Sequence, residues 1–193
     1  MYGAGARDLQ DRFDSRRLAE RLAGLTVHTE LTQDDIALIG AQSTVWVSTV
    51  DADGWPDVSY KGGDLGFVRV VSPTELRIPS YDGNGMMRTM GNIADTGRAA
   101  LLFVDEARPW RMRVHGHARV TTEAVDVAVF HGAFAVIVLT VARVFPNCGR
   151  YIHRPDALSE YVPREGHTPP TPEWKTYDGI ADALPADDPA RDG

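Results

Sequence analysis

Between Thr44 and Phe145 the chain passes through six or seven segments of strand character, and only two intervals between them can hold a helix. A doubly wound parallel sheet needs a crossover helix after almost every strand, so this spacing predicts antiparallel neighbours instead. Thr44–Val50 is a β-branched run that empties into the turn Asp51-Ala52-Asp53-Gly54, with Pro56–Lys61 as its hairpin partner. Gly66–Val71 and Glu75–Ser80 flank Ser72-Pro73, and Arg98–Val104 is continuously apolar. Trp110–Val120 alternates: Trp110, Met112, Val114, Ala118 and Val120 face one way, and Arg111, Arg113, His115, His117 and Arg119 the other. Phe134–Phe145 closes the series as a long apolar strand. The expected fold class is mainly β, a six- to seven-stranded antiparallel barrel with flanking helices.

The helices are few. Residues 7–24 place Leu9, Phe13, Leu18 and Leu22 on one stripe, which predicts an amphipathic leading helix packed on the main domain. Thr32 is placed to cap a short second helix with Asp34 and Asp35 in its first turn and Ile36, Leu38 and Ile39 as its apolar residues. Asn84 is the expected N-cap of a helix reaching about Ala94, with Met86, Met90, Ile93 and Ala94 on its buried face. A short helix is expected over 123–131. Beyond Pro146 the chain turns irregular, with Pro155, Pro163, Pro169, Pro170 and Pro172, and the acidic stretch Ala181–Gly193 reads as disordered. The organisation expected is a helical segment over 1–43, a barrel over 44–154 and a Pro-rich tail over 155–193.

Composition narrows the partners. A net charge of −7 and a pI near 5.3 argue against nucleic acid, whose phosphates demand a basic footprint. No apolar run reaches the ~20 residues of a membrane span, and no signal-peptide core opens the chain. The single cysteine, Cys148, excludes an internal disulfide and suits a reducing compartment, so a cytoplasmic, bacterial-type protein is expected.

Two segments carry the chemistry. Asp57-Val58-Ser59-Tyr60-Lys61-Gly62-Gly63 reads as a strand that delivers a cation into two glycines, and Ser80-Tyr81-Asp82-Gly83-Asn84-Gly85-Met86 as a strand emptying through a glycine-rich turn into a helix. Together they offer an ammonium, hydroxyls and free N–H groups at a positive helix end, which is what a phosphate requires. Alternation puts Asp57, Ser59 and Lys61 on one face of the strand. Lys61 is one of two lysines against eighteen arginines, so a compact point charge has been placed here in a chain that otherwise uses the planar fork.

These residues give the chain its resemblance to a known family. Thr49–Ser59, Tyr60-Lys61-Gly62-Gly63, Tyr81–Met86, Gly91-Asn92-Ile93, Leu101-Leu102-Phe103, Arg113–Ala118 and Phe145–Arg154 occur in the order found in the pyridoxamine 5′-phosphate oxidase-like proteins, the FMN-binding split β-barrels, over about residues 8–175. The resemblance implies a split barrel that forms a homodimer with flavin sites between subunits, each taking a small-molecule substrate. It implies that Ser59, Tyr60, Lys61 and Gly62, with Ser80, Tyr81, Asn84, Gly85, Met86 and Arg88, hold the flavin phosphate. Asn147, Cys148, Arg150 and Tyr151, within the 147–153 segment, would close the ring from the partner subunit. Oxidases of pyridoxamine phosphate carry adjacent basic residues where this chain has Gly85-Met86; Lys61 and Arg88 are the candidates to replace them. That departure argues against pyridoxamine phosphate as substrate.

Other constellations are weaker. His115 and His117 have no Asp, Glu or Cys beside them in the sequence, so no metal is expected. Cys148 and His153 lack an elbow motif and a third orienting group, so Cys148 is expected to pack as a small apolar group beside the flavin. Pro172-Glu173-Trp174-Lys175 could form an aromatic lid or pin the tail. No catalytic residue is named, because in flavin chemistry the cofactor carries the reaction. Beside an FMN-dependent oxidoreductase stand a non-catalytic flavin-storage protein, a deazaflavin-dependent reductase and, more weakly, a haem-binding protein.

Overall fold

The computed structural model describes all residues except Glu106, Ala107, Pro109, Arg154, Pro155, Asp192 and Gly193. The sequence expectations that fall on Arg154, on Pro155 and on the last two residues of the tail therefore lie outside the described residues. The chain divides into two compact units, one of residues 28–149 and one in which 1–27 come together with the chain from Arg150 onwards.

The larger unit is a seven-stranded sheet, antiparallel throughout. Its strands are β1 (Thr44–Val50), β2 (Pro56–Gly62), β3 (Arg69–Ser72), β4 (Glu75–Ser80), β5 (Arg98–Asp105), β6 (Trp110–Thr121) and β7 (Ala135–Asn147), in the order β2-β1-β5-β6-β7-β4-β3. This is the mainly β, antiparallel architecture that the strand spacing predicts. Val45, Val47, Leu76, Ile78, Leu101, Phe103, Val114, Ile137 and Leu139 form its core. β7 is buried on both faces over Ala135–Leu139, because Phe130, Val127 and Ala133 cover Val136 and Val138 from the side away from the main core. That double cover is why Phe134–Phe145 reads as an unbroken apolar run rather than an alternating one.

Where His115 pairs with Arg143, the next pair is Gly116 with Val141, so β7 carries one extra residue, Ala142, as a β-bulge. Gly116 faces inward beside this irregularity. A Cβ there would stand 2.5 Å from Leu139 Cδ2 and closer still to the Thr140 carbonyl oxygen.

Two helices of this unit pack into its core. α3 (Gln33–Gly40) begins with a capping box: Thr32 Oγ1 accepts from Asp35 N, and Asp35 Oδ2 accepts from Thr32 N at 2.8 Å. The same oxygen lies 2.8 Å from His28 Nε2, and Leu38 and Ile39 are buried. α4 (Arg88–Thr96) packs Ile93 into the core, and Asn92 Nδ2 donates to the buried Thr49 Oγ1 at 3.0 Å. The expected helix from Asn84 is thereby corrected. Gly85 (φ +74) and Met87 (φ +53) are left-handed, so no helix can run through them. Met86 and Ala94 are exposed, and the buried face is Thr89, Asn92 and Ile93. The helix expected over 123–131 is reduced to α5 (Ala124–Val127).

The smaller unit revises the leading helix. It is two helices, α1 (Ala4–Arg12) and α2 (Arg16–Thr26), broken at Asp14 (φ +47). Asp14 and Ser15 both compete with the helix for backbone partners, and Asp14 Oδ2 accepts from Ala186 N at 2.8 Å instead. Leu9 and Phe13 are exposed, whereas Leu18, Leu22 and Trp174 pack against the buried cluster of Ile180, Leu184 and Ala190. The stretch expected to be disordered is thus ordered as far as it is described: Leu184 is fully buried, Lys175 pairs with Asp188, and Trp174 serves as a pin. Among the described residues no helix is long and apolar enough to cross a membrane.

Gly116→Ala should destabilise the fold by about 1–3 kcal/mol through overpacking at the bulge. Urea denaturation followed by circular dichroism checks this, and an unchanged midpoint would show that the bulge yields without strain.

Candidate flavin cleft

Alternation along β2 works as the sequence predicts. Asp57, Ser59 and Lys61 are half-buried on one face, while Val58 and Tyr60 stand exposed on the other. Tyr60 packs its ring edge-on against Trp46, centroids 5.2 Å apart, so the ring turns away from Lys61.

The Lys61 face closes one side of a cleft of about 470 Å³, within the range of small-ligand sites. Its other walls are the end of β4 at Pro79 and Ser80, the loop Tyr81–Met87, the first turn of α4 and Phe134. Ten of the residues singled out in the sequence meet here: Ser59, Tyr60, Lys61, Gly62, Ser80, Tyr81, Asn84, Gly85, Met86 and Arg88. Among the other lining residues are Asp57, Thr89 and Phe134, which are not in that candidate set. Asp57 was legible from the alternation that carries Ser59 and Lys61. Phe134 gave no signal, since its place follows from long-range pairing: its N–H donates to the Ser80 carbonyl at 3.1 Å.

The electrostatics are those of an anion site with one internal counter-charge. Burial holds the Lys61 ammonium below its ordinary pKa, and the nearby Asp57 carboxylate works against that shift. Asp57 Oδ2 lies 3.5 Å from Arg88 Nε, which brings the guanidinium to the rim. Asn84 does not cap the helix; its Oδ1 accepts from Met86 N at 3.0 Å and folds the loop back on itself. The first helical bond of α4 runs from Gly91 N to Met87 O, at 2.8 Å. The N–H groups of Arg88, Thr89 and Met90 are therefore left at the positive helix end, beside the cleft. An ammonium, a guanidinium, two serine hydroxyls and open N–H groups fit a phosphate monoester, and the volume leaves room for a ring beside it.

Two further sequence candidates of this unit, Asn147 and Cys148, do not line the cleft. Asn147 ends β7, whereas Ala135 at the start of β7 pairs with Ser80 in the cleft wall. Register puts the Asn147 end of β7 level with Lys61, four strands away across the sheet. There Asn147 Oδ1 accepts from Arg113, and the Cys148 carbonyl accepts from Arg111. Arg150 and Tyr151 belong to the smaller unit, where the guanidinium lies over the Tyr151 ring, 5.7 Å from its centroid.

Comparison with known proteins bears on the family and the fold. The family model described as pyridoxamine 5′-phosphate oxidase matches residues 31–148, well over half of the chain. Among solved structures, HupZ of Group A Streptococcus is 25% identical, with 67% of this chain and 98% of that one covered and a TM-score of 0.51. A Lactobacillus delbrueckii protein of the pyridoxamine 5′-phosphate oxidase kind is 26% identical, with 61% and 95% covered and a TM-score of 0.50. No match to a curated protein was found. The matched span holds the whole sheet and every residue of the cleft, and the chain belongs to the pyridoxamine 5′-phosphate oxidase family.

Proposed function

We propose that the cleft binds FMN through its phosphate and that the protein is a flavin-dependent oxidoreductase acting on a small molecule. The observation that carries this reading is the half-buried Lys61 ammonium set on the same cleft as the open N–H groups of α4. Burying a cation in part is unfavourable unless an anion meets it, and family membership makes a flavin phosphate the natural anion. Bound FMN would supply hydride or electron transfer. The chain's own residues bind and orient it: Lys61 and Arg88 neutralise the phosphate, Ser59 and Ser80 donate hydroxyl hydrogen bonds, and Asp57 fixes Arg88 at the rim. The turn that carries adjacent cations in pyridoxamine phosphate oxidases is here uncharged at Gly85 and Met86. The substrate we propose is accordingly a small molecule other than pyridoxamine phosphate.

The working form we propose is a homodimer. Asn147 and Cys148 do not line the cleft of their own chain, and the family likeness of their segment makes a second chain the natural source of the remaining wall. An exposed apolar strip on β1 and β2, with Val58 61%, Tyr60 55% and Trp46 41% accessible, supports association.

Three outcomes follow. Lys61→Ala should weaken FMN binding about tenfold or more, the worth of a charge-assisted hydrogen bond, while riboflavin binding stays nearly constant. Flavin fluorescence titration measures both, and an equal loss for the two ligands would remove Lys61 from the phosphate site. Lys61→Met should raise the denaturation midpoint at neutral pH, because the penalty on a partly buried ammonium is removed. A depressed lysine pKa costs stability in full below that pKa, and the cost fades as pH climbs from there to the ordinary value. The advantage of the methionine variant should therefore shrink as pH rises towards the ordinary lysine value of 10.5, and a pH-independent difference would contradict the burial argument. Sedimentation equilibrium should show a dimer, and a monomer that binds FMN at full affinity would refute the two-chain site.

A further inference from the structure

A second cleft, of about 360 Å³, lies across β1, β5, β6 and β7 and shares no residue with the flavin cleft. Its walls follow from register. Ser48 pairs with Ala100, Ala100 with His115, and His115 with Arg143; one step along, Arg98 pairs with His117. The small side chains of Ala100 and Ala142 keep the floor low, while two guanidinium groups and two imidazoles rise around it and no carboxylate lines it.

Three observations set this cluster apart from a solvated basic face. Among the described residues no ion pair is found for Arg98 or Arg143, although the chain carries a net charge of −7 and has carboxylates to spare. Arg98 stands opposite His117 and Arg143 opposite His115, so four hydrogen-bond-donating side chains share one outer face with no carboxylate among them. The bulge at Ala142 aims one of them: Ile137, Leu139 and Val141 are core residues before it and Val144 after it, so Arg143 stands on the outer side with His115. The field of the groove is already felt by His115, whose imidazole is held below its ordinary pKa by burial and then by the charges of Arg143 and Arg113.

We propose that this groove binds a phosphate group, free or as the ester of a small organic molecule. Arg98 and Arg143 would grip it with His115, His117 and the Ser48 hydroxyl as hydrogen-bond donors. Paired guanidinium forks suit a tetrahedral oxyanion, and Val50 and Ala100 offer apolar surface to the remainder of an ester. The site depends on none of the residues assigned to flavin, so either assignment can fail without the other.

The test is an NMR titration of the full-length protein with inorganic phosphate and with phenyl phosphate, following the imidazole resonances of His115 and His117 against chloride at matched ionic strength. Saturable shifts of both rings with the phosphates, absent with chloride, are expected. Tighter binding of phenyl phosphate would identify an ester as the ligand, and equal binding would identify the free ion. Arg98→Gln, at an exposed position, and Arg143→Gln should each weaken binding about tenfold, with FMN affinity unchanged. Absence of saturable shifts, equal shifts with chloride, or unaltered affinity in both variants would overturn the proposal. So would variants that change only self-association, since the cluster would then serve contact between copies.

Discussion

The sheet depends on the burial of β7 from both sides. This strand alone joins β2-β1-β5-β6 to β4-β3, and its first five residues are enclosed between the main core and the Phe130 cluster. Burying such a strand removes its freedom to slip, because a one-residue shift would exchange the two apolar faces and break both sets of contacts. The pairing of Ala135 with Ser80 is thereby fixed. The end of β4, the loop that leaves it and Phe134 are set at one side of the cleft as a result. Site geometry on the β2 side is held by its hairpin with β1, whose Val45, Val47 and Thr49 are anchored in the core and to α4.

Within that frame the cleft is governed by a contest between solvation and charge. Lys61 is buried enough to lower its pKa, yet it makes no close pair with Asp57, which is turned instead towards Arg88. A lysine with a tight carboxylate partner would be stable and indifferent to phosphate. Leaving it half-desolvated keeps its charge available, and the fold bears the expense in stability.

Most of the fold could be read from the sequence because it rests on local signals. β-branched runs, turn dipeptides and period-two alternation located every strand, and Thr32 with Asp35 marked α3 through a capping box that is present as drawn. Ser59 and Lys61 came from the same alternation. What failed was set by backbone states or distant partners. Asn84 is a good cap by type, but two left-handed residues after it delay the helix to Arg88. The stripe over residues 7–24 is real, but Asp14 breaks it, and the oxygen that does so is tied to a residue near the other end of the chain. Asn147 and Cys148 sit in a family-like segment, and only the folded pairing of β7 reveals that they do not line the cleft of their own chain.

The union of the chain's two ends in one unit bears on the order in which the molecule can be completed. Everything the sheet needs has been made by Gly149, so residues 28–149 can close their core without waiting for the segment that follows them. α2 is made among the first segments, but Leu18 and Leu22 have no apolar cover of their own until Ile180, Leu184 and Ala190 arrive. The earliest-made helices are thus the last to find their partners. Loss of a dozen residues from the carboxyl end would take Leu184 and Ala190 from this cover, and neither belongs to the core of the sheet.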